Sequence, residues 1–365
     1  MTTFSYRRGT QEFNDLVEEA VEFASAILNN TEIANKEERI LEHNKGVAKY
    51  CLAGTRYEAL YEEKGLEALK DPRVMKNADV HQNFDAFISE IINPVLPIVS
   101  NSDFARLLAE VRQIGWGDTA RFIVHSNELY KVNEIAEGVN RGVLEPIHDN
   151  EFTLDTKVIE IAAQVDIYAV AAGVFDFGDF AVRAARSFEQ YTFIKIVKAV
   201  TSGFGDFGAA YAATGFSVAN WSGLAEKVSL ANGKCPVIAL GTLEALNTVY
   251  PSQTGLQFGL GEEIAKKGFL DKYMGVRLLP IENAFSTPWG VNTDAAMALT
   301  NDKIYFVPTV ADRPVKIVYE GNTTVVERDA DHSTDKTYTV RIQMRQGVGF
   351  IAGSKYGTLD LTSST

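Results

Sequence analysis

One run constrains this chain more than any other: "VFDFGDFAVRAARSFEQYTFIKIVKAVTSGF", residues 174–204. Phe177, Phe180, Ala184, Phe188, Tyr191 and Ile194 recur at steps of three and four, the period of one buried helix face, with Arg183, Arg186 and Glu189 between them. The run predicts a single spine helix of about seven turns over residues 177–200. Directly behind it stands "GFGDFG", Gly203–Gly208, whose G-x-G-x-x-G spacing is the fingerprint of a dinucleotide-binding turn. Glu226 even lies near the distance where a ribose-binding carboxylate is wanted. The helix period argues against that use. A dinucleotide fold needs a buried strand ahead of the first glycine and a full helix behind the last, with its N-terminus on the pyrophosphate. Behind Gly208 there is only "AAYAATG", and Asp206 would set a carboxylate inside the phosphate cradle. Gly203 instead reads as a C-cap glycine that releases the helix through positive φ. A dinucleotide-dependent oxidoreductase stays as the remote alternative.

The first ~70 residues are also helical by period. Phe13, Leu16, Val17, Ala20, Val21, Ala24, Ile27 and Leu28 form one stripe. Ile40, Leu41, Asn44, Val47, Ala48, Cys51 and Leu52 form a second, broken by Gly54. Such stripes are buried either in their own domain or on a neighbouring chain. Loss of residues 1–30 is expected to impair assembly more than folding.

From Trp116 to Ala171 the pattern turns extended. "TARFIVH", "KVNEIAEG" and "KVIEIAAQVDIYAV" flank the polar stretch "EGVNRGVLEPIHDNEF", which predicts a long two-stranded excursion with a hydrophilic tip. Two strands bury too little to stand alone in water, so the excursion should lean on another surface. Residues 216–312 alternate short helices and strands. A long strand follows, in which Tyr338, Val340, Ile342 and Met344 face one way and Thr339, Arg341, Gln343 and Arg345 the other. Its expected partner is residues 314–328, joined through "DADHSTD". That loop alternates acids as a calcium loop does, but Thr334 stands where the turn glycine belongs and Val340 where the bidentate glutamate belongs.

Composition narrows the function. Lys and Arg total 35 against 48 Asp and Glu, a net charge of -13, which excludes an avid nucleic-acid reader. Cys51 and Cys235 have no C-x-x-C spacing, and His43, His81, His125, His148 and His332 are scattered, so neither a disulfide framework nor a metal site is expected. The N-terminus lacks a secretory core and no apolar run is long enough to span a bilayer, so the expectation is a soluble protein of a reducing cytoplasm. There is no G-x-S-x-G, P-loop or H-E-x-x-H motif. Glu262 and Glu263 are adjacent and diverge, and Trp116, Trp221 and Trp289 read as packing residues. No catalytic residue, cofactor or metal is assigned.

The order of elements resembles the major capsid protein of tailed bacteriophages, the Hong Kong 97 type of fold. "GKCPVIALGTLEALNTVYP" is similar to the family's strand-then-helix segment near the capsomer axis. "FLDKYMGVRLLPIENAF" is similar to its segment in which Gly275 precedes a returning strand. "KIYFVPTVADRPVKIVYEG" with "YTVRIQMRQGVGFI" resembles the closing strands. The resemblance implies an α+β fold with an N-terminal helical arm over 1–84, part of a peripheral (P) domain over 85–117, and an extended loop over 118–165, its body at 118–163. The spine-helix part of the P-domain follows over 166–215, an axial (A) domain over 216–312 and return strands over 313–365. It further implies self-assembly into pentamers and hexamers around dsDNA bound without sequence preference. Scaffolding, portal and decoration partners come with it, as do assembly in the host cytoplasm and residence in the virion, without a membrane. An encapsulin-like compartment shares the fold and is the nearer alternative. Some family members weld their shells through a Lys–Asn bond; Lys131 lies in the loop, but no asparagine partner is assigned.

Overall fold

The computed structural model describes residues 11–29, 31–71, 73–74, 77–99, 107–124, 132, 134, 150–249, 260–286, 296–309, 312–327 and 337–362. The class is α+β, and the chain divides into two compact units, each drawn from separated stretches.

The first unit comprises Met1–Ser102, Thr156–Glu189 and Tyr319–Gln346. Its helices are α1 (Gln11–Leu28), α2 (Lys36–Leu52), α3 (Glu58–Lys64), α4 (Ala78–Val99) and the short α5 (Ile167–Ala171). Of the α1 stripe, Phe13, Ala20 and Ala24 are buried and Leu16, Val17, Val21, Ile27 and Leu28 half-buried against the same core, joined by Phe23 from outside the stripe; of the α2 stripe all but the half-buried Leu41 are buried. The start of the long helix α6 (Phe177–Gly205) meets α1 at Gly178, where a Cβ would lie 2.6 Å from Phe23 Cβ and 2.9 Å from the Ala24 backbone nitrogen. Only a glycine admits that approach. Residues 11–28 therefore supply core of this unit, which argues that removing residues 1–30 costs folding as well as assembly.

The same core is closed by strands. β4 (Lys157–Asp166) pairs antiparallel with β11 (Thr337–Phe350), Ile161 opposite Ile342 and Ile159 opposite Met344. Val340, Ile342 and Met344 are buried while Arg341, Gln343 and Arg345 point away, the alternation read from the sequence. Glu160 accepts hydrogen bonds from Arg341 Nη1 at 2.7 Å and Gln343 Nε2 at 2.5 Å. β10 (Val315–Glu327) is the other neighbour of β11, as expected. The connecting loop at 329–335 lies outside the described residues.

The second unit comprises Asp103–Asp155, Gln190–Val318 and Gly347–Thr365. Its lobe is a six-stranded sheet in the order β5 (Ala212–Thr214), β12 (Gly357–Asp360), β9 (Lys303–Pro308), β6 (Val237–Gly241), β8 (Val276–Pro280), β7 (Lys272–Tyr273). β6, "VIALG", is buried at every position, as expected of a central strand without alternation. β7 and β8 join through Met274 and Gly275, at φ 47° and 83°, the pair of positive angles that a two-residue hairpin needs. Helix α7 (Val218–Ala231) buries Trp221, Leu224 and Val228 and starts where the Ser217 hydroxyl accepts from the Asn220 N–H at 3.0 Å. Helices α8 (Leu243–Asn247) and α9 (Leu260–Lys267) complete the lobe.

Candidate assembly surfaces

The glycine motif sits at the wrong end of a helix for a phosphate. α6 continues through Gly203 and stops at Gly205, past the predicted end at Val200. Gly203 is helical, so its expected role as a positive-φ cap is corrected: a Cβ there would lie 2.2 Å from Cδ1 and 2.3 Å from Cγ of Phe350, and the glycine makes room for that ring. Positive φ falls later, at Gly208, with φ 74°. Phe204 stacks on Tyr356 with centroids 5.0 Å apart and meets Phe350 at 5.8 Å, while Phe207 lies 6.1 Å from Phe350. A helix C-terminus presents carbonyls and the negative end of the dipole, the reverse of a pyrophosphate cradle.

The two-stranded projection begins at a charged and aromatic root. β2 (Ala120–Val124) pairs antiparallel with β3 (Asn150–Leu154), Phe122 opposite Phe152. The sequence reading places an extended segment at 157–170 and ends the polar stretch at Phe152, so it misses the strand at 150–154. β3 exists because its partner supplies the ladder, and β4 belongs to the other sheet. Phe122 is buried against Ala120 and Val318, with the Arg112 guanidinium 4.4 Å and the Lys316 ammonium 5.6 Å from its ring centroid. Lys316 is fully buried, and its Nζ donates to Glu110 Oε2 at 2.6 Å and to both Asp312 oxygens at 2.8 Å. Burial raises the Glu110 pKa, but hydrogen bonds from Lys316 and Arg112, together with their charges, outweigh it and hold the carboxyl below its ordinary range. On the outer face Ile123 is exposed, and Phe152 is exposed as well.

The lobe of the second unit carries a further set of uncovered apolar side chains. Val218, Leu230, Leu243, Met274 and Met297 are each more than half exposed. Two of them open helices, one ends a helix and one tips the β7–β8 hairpin.

Other residues singled out in the sequence scatter. Trp221 is core and Trp116 is exposed, while Trp289, Lys131 and the side chains of Glu262 and Glu263 lie outside the described residues. Cys51 is buried and Cys235 partly so, both as free thiols. Among the described residues no helix is long and apolar enough to cross a membrane, and no His, Cys, Asp and Glu side chains gather as a metal site. The sequence missed the Lys316 cluster, whose members come from three separated stretches and leave no local spacing to detect.

Comparison with known proteins gives the chain a place. It is similar to the capsid protein of the cyanophage P-SCSP1u, at 15% identity over 72% of this chain and 89% of that chain, with a TM-score of 0.47. The mature capsid of bacteriophage PhiM1 is similar at 14% identity over 73% and 88%, with a TM-score of 0.46. The capsid of a native GTA particle is similar at 12% identity over 73% and 91%, with a TM-score of 0.48. No curated protein matches. The family described as "SPbeta prophage-derived putative capsid protein YonB" matches over residues 12–360. Because that match takes in both compact units, the chain belongs to the YonB family of prophage-derived capsid proteins.

Proposed function

We propose that copies of this capsid protein close into rings of five and six through the lobe of the second unit, and that the rings tile an icosahedral shell around double-stranded DNA. The observation that carries this reading is the set of lobe side chains, Val218, Leu230, Leu243, Met274 and Met297, which a single chain leaves in water. Burying such residues between copies contributes about 25 cal/mol per Å² of apolar surface, repeated at every ring contact. The β2–β3 projection supports the same reading, since a two-stranded element gains from a neighbour's cover.

In this reading residues 216–312 are the axial part, α6 is the spine and residues 118–165 are the extended loop. The net charge of -13 keeps the wall from adhering to the phosphates it encloses. The protein acts as wall material and not as an enzyme. It assembles in the host cytoplasm with scaffolding and portal proteins, takes decoration proteins on its outer face, and ends in the virion. The test is a paired substitution, Val218→Asp with Leu243→Asp, followed by circular dichroism and light scattering. The expected result is a folded chain that no longer forms large species. Unchanged assembly by the variant would overturn the lobe as the ring surface.

A further inference from the structure

We propose that His43 is an acid-operated latch of the N-terminal helical unit: neutral, its ring seats in an aromatic pocket between α1, α2 and α4, and protonation drives the helices apart. The ring is only 2% exposed. Its centroid lies 5.7 Å from that of Phe23, 5.9 Å from that of Phe87 and 5.9 Å from that of Phe177. Nδ1 is 3.1 Å from Glu19 Oε2, so the neutral tautomer that fits carries its proton there and donates to the carboxylate. Nε2 is buried and has no hydrogen-bond partner. A lone pair without a partner carries a desolvation cost in such a pocket, and a charged N–H⁺ facing rings with no acceptor carries a larger one.

The charged groups around the ring do not remove that asymmetry. Glu19 from α1 faces Nδ1 but is shared with Arg39, whose Nη2 lies 3.3 Å from it. Arg39, one turn ahead of His43 on α2, opposes a second positive charge. Asp176, in the stretch before α6, favours the cation but is paired with Lys36 at 2.9 Å. From α4 and the start of α6 the contacting groups are the Phe87 and Phe177 rings. Burial, the dominant influence, and Arg39 lower the His43 pKa, and Glu19 and Asp176 offset this only in part. The sign then follows. The folded state holds neutral imidazole where the unfolded state, with an ordinary pKa of about 6.5, takes a proton. Stability is therefore lost as pH falls below that value, until the folded ring itself titrates. Neighbouring Asn44 adds a second buried atom without a partner, Oδ1, to the same helix, although its Nδ2 donates to Phe175 O at 3.0 Å. The proton thus acts on α1, α2 and α4, the helices that enclose the ring.

Hydrogen exchange on the full chain, corrected for intrinsic rates, tests this between pH 7.5 and 5.5. The opening equilibrium of α1 and α2 should rise over that interval by up to about tenfold, the limit set by an unfolded-state pKa of about 6.5 with the folded ring neutral throughout. Strands β6 and β9 of the second unit should not respond. In His43→Gln, which can still donate to Glu19 and does not titrate, the rise should vanish. A flat wild-type profile, or a rise that persists in His43→Gln, would overturn the latch. Should the glutamine variant not fold, the ring is titrated by NMR in the unmodified chain. A midpoint below 6.5 supports the proposal, and one at or above it refutes it.

Discussion

Substituting Gly203 separates a packing role from a backbone role. A Cβ there would lie 2.2, 2.3 and 2.5 Å from three ring carbons of Phe350. Phe350 cannot simply swing aside, because Phe204, Phe207 and Tyr356 surround it with centroids at 5.8, 6.1 and 6.4 Å. Gly203→Ala therefore overpacks a fixed aromatic cluster, at a cost of about 1–3 kcal/mol. Against this stands the better helix propensity of alanine, worth up to about 1 kcal/mol. With the full propensity gain the expected net is a loss of about 0–2 kcal/mol, and Gly203→Val, with a smaller propensity gain and more bulk, should lose more. Gly205 supplies the control, since nothing lies within 4 Å of a Cβ built there. Gly205→Ala in the same helical turn should be neutral or slightly stabilising. Urea unfolding of the full chain, followed by near-ultraviolet circular dichroism of the aromatic cluster, measures both. Phe350→Ala should remove the penalty of Gly203→Ala in a double-mutant cycle. If Gly203→Ala unfolds at the same urea concentration as Gly205→Ala, the packing account of the motif is wrong.

Three further outcomes follow from the same kind of contact. Gly178→Ala, whose Cβ would press on the backbone of α1, should cost about 1–3 kcal/mol and expose residues 11–28 to protease. Removing residues 1–30 should unfold the first unit, since it deletes Phe13, Ala20, Phe23 and Ala24 from the core; a truncated chain with wild-type helicity and melting would contradict this. Lys316→Met should cost about 1–3 kcal/mol at pH 7, because its carboxylates are left together but can rehydrate. The Glu110 pKa is depressed in the fold, so the cluster's contribution is present above the ordinary carboxylate range and fades as pH falls through the folded value. The gap between wild type and Lys316→Met should accordingly narrow on acidification in thermal melts.

What the sequence disclosed was local, and what it hid was long-range. The stripes of α1, α2 and α6 were legible because a buried helix face repeats every three or four residues whatever it packs against. The alternation of β11 was legible for the same reason at period two. The end of α6 was misplaced because Gly203 looks like a cap until Phe350, far along the chain, explains the need for a missing Cβ. β3, "NEFTL", carries no strand signal of its own, and its ladder with β2 decides the matter. β4 was recognised as extended but given the wrong partner, since pairing across a sheet is not written in either strand. His43 was left out of the α2 stripe although it is more buried than Ile40 and Leu41, which were counted, because its burial depends on an aromatic pocket built by other helices. The candidate surfaces were least legible of all: an apolar residue uncovered on a folded chain looks the same in sequence as one in the core.

The central claim is that this chain builds closed shells, and negative-stain electron microscopy of the purified full-length protein tests it most directly. The account predicts uniform, closed particles with fivefold and sixfold rings in their walls. A preparation that stays monomeric or dimeric at high protein concentration, with its secondary structure intact, would contradict it.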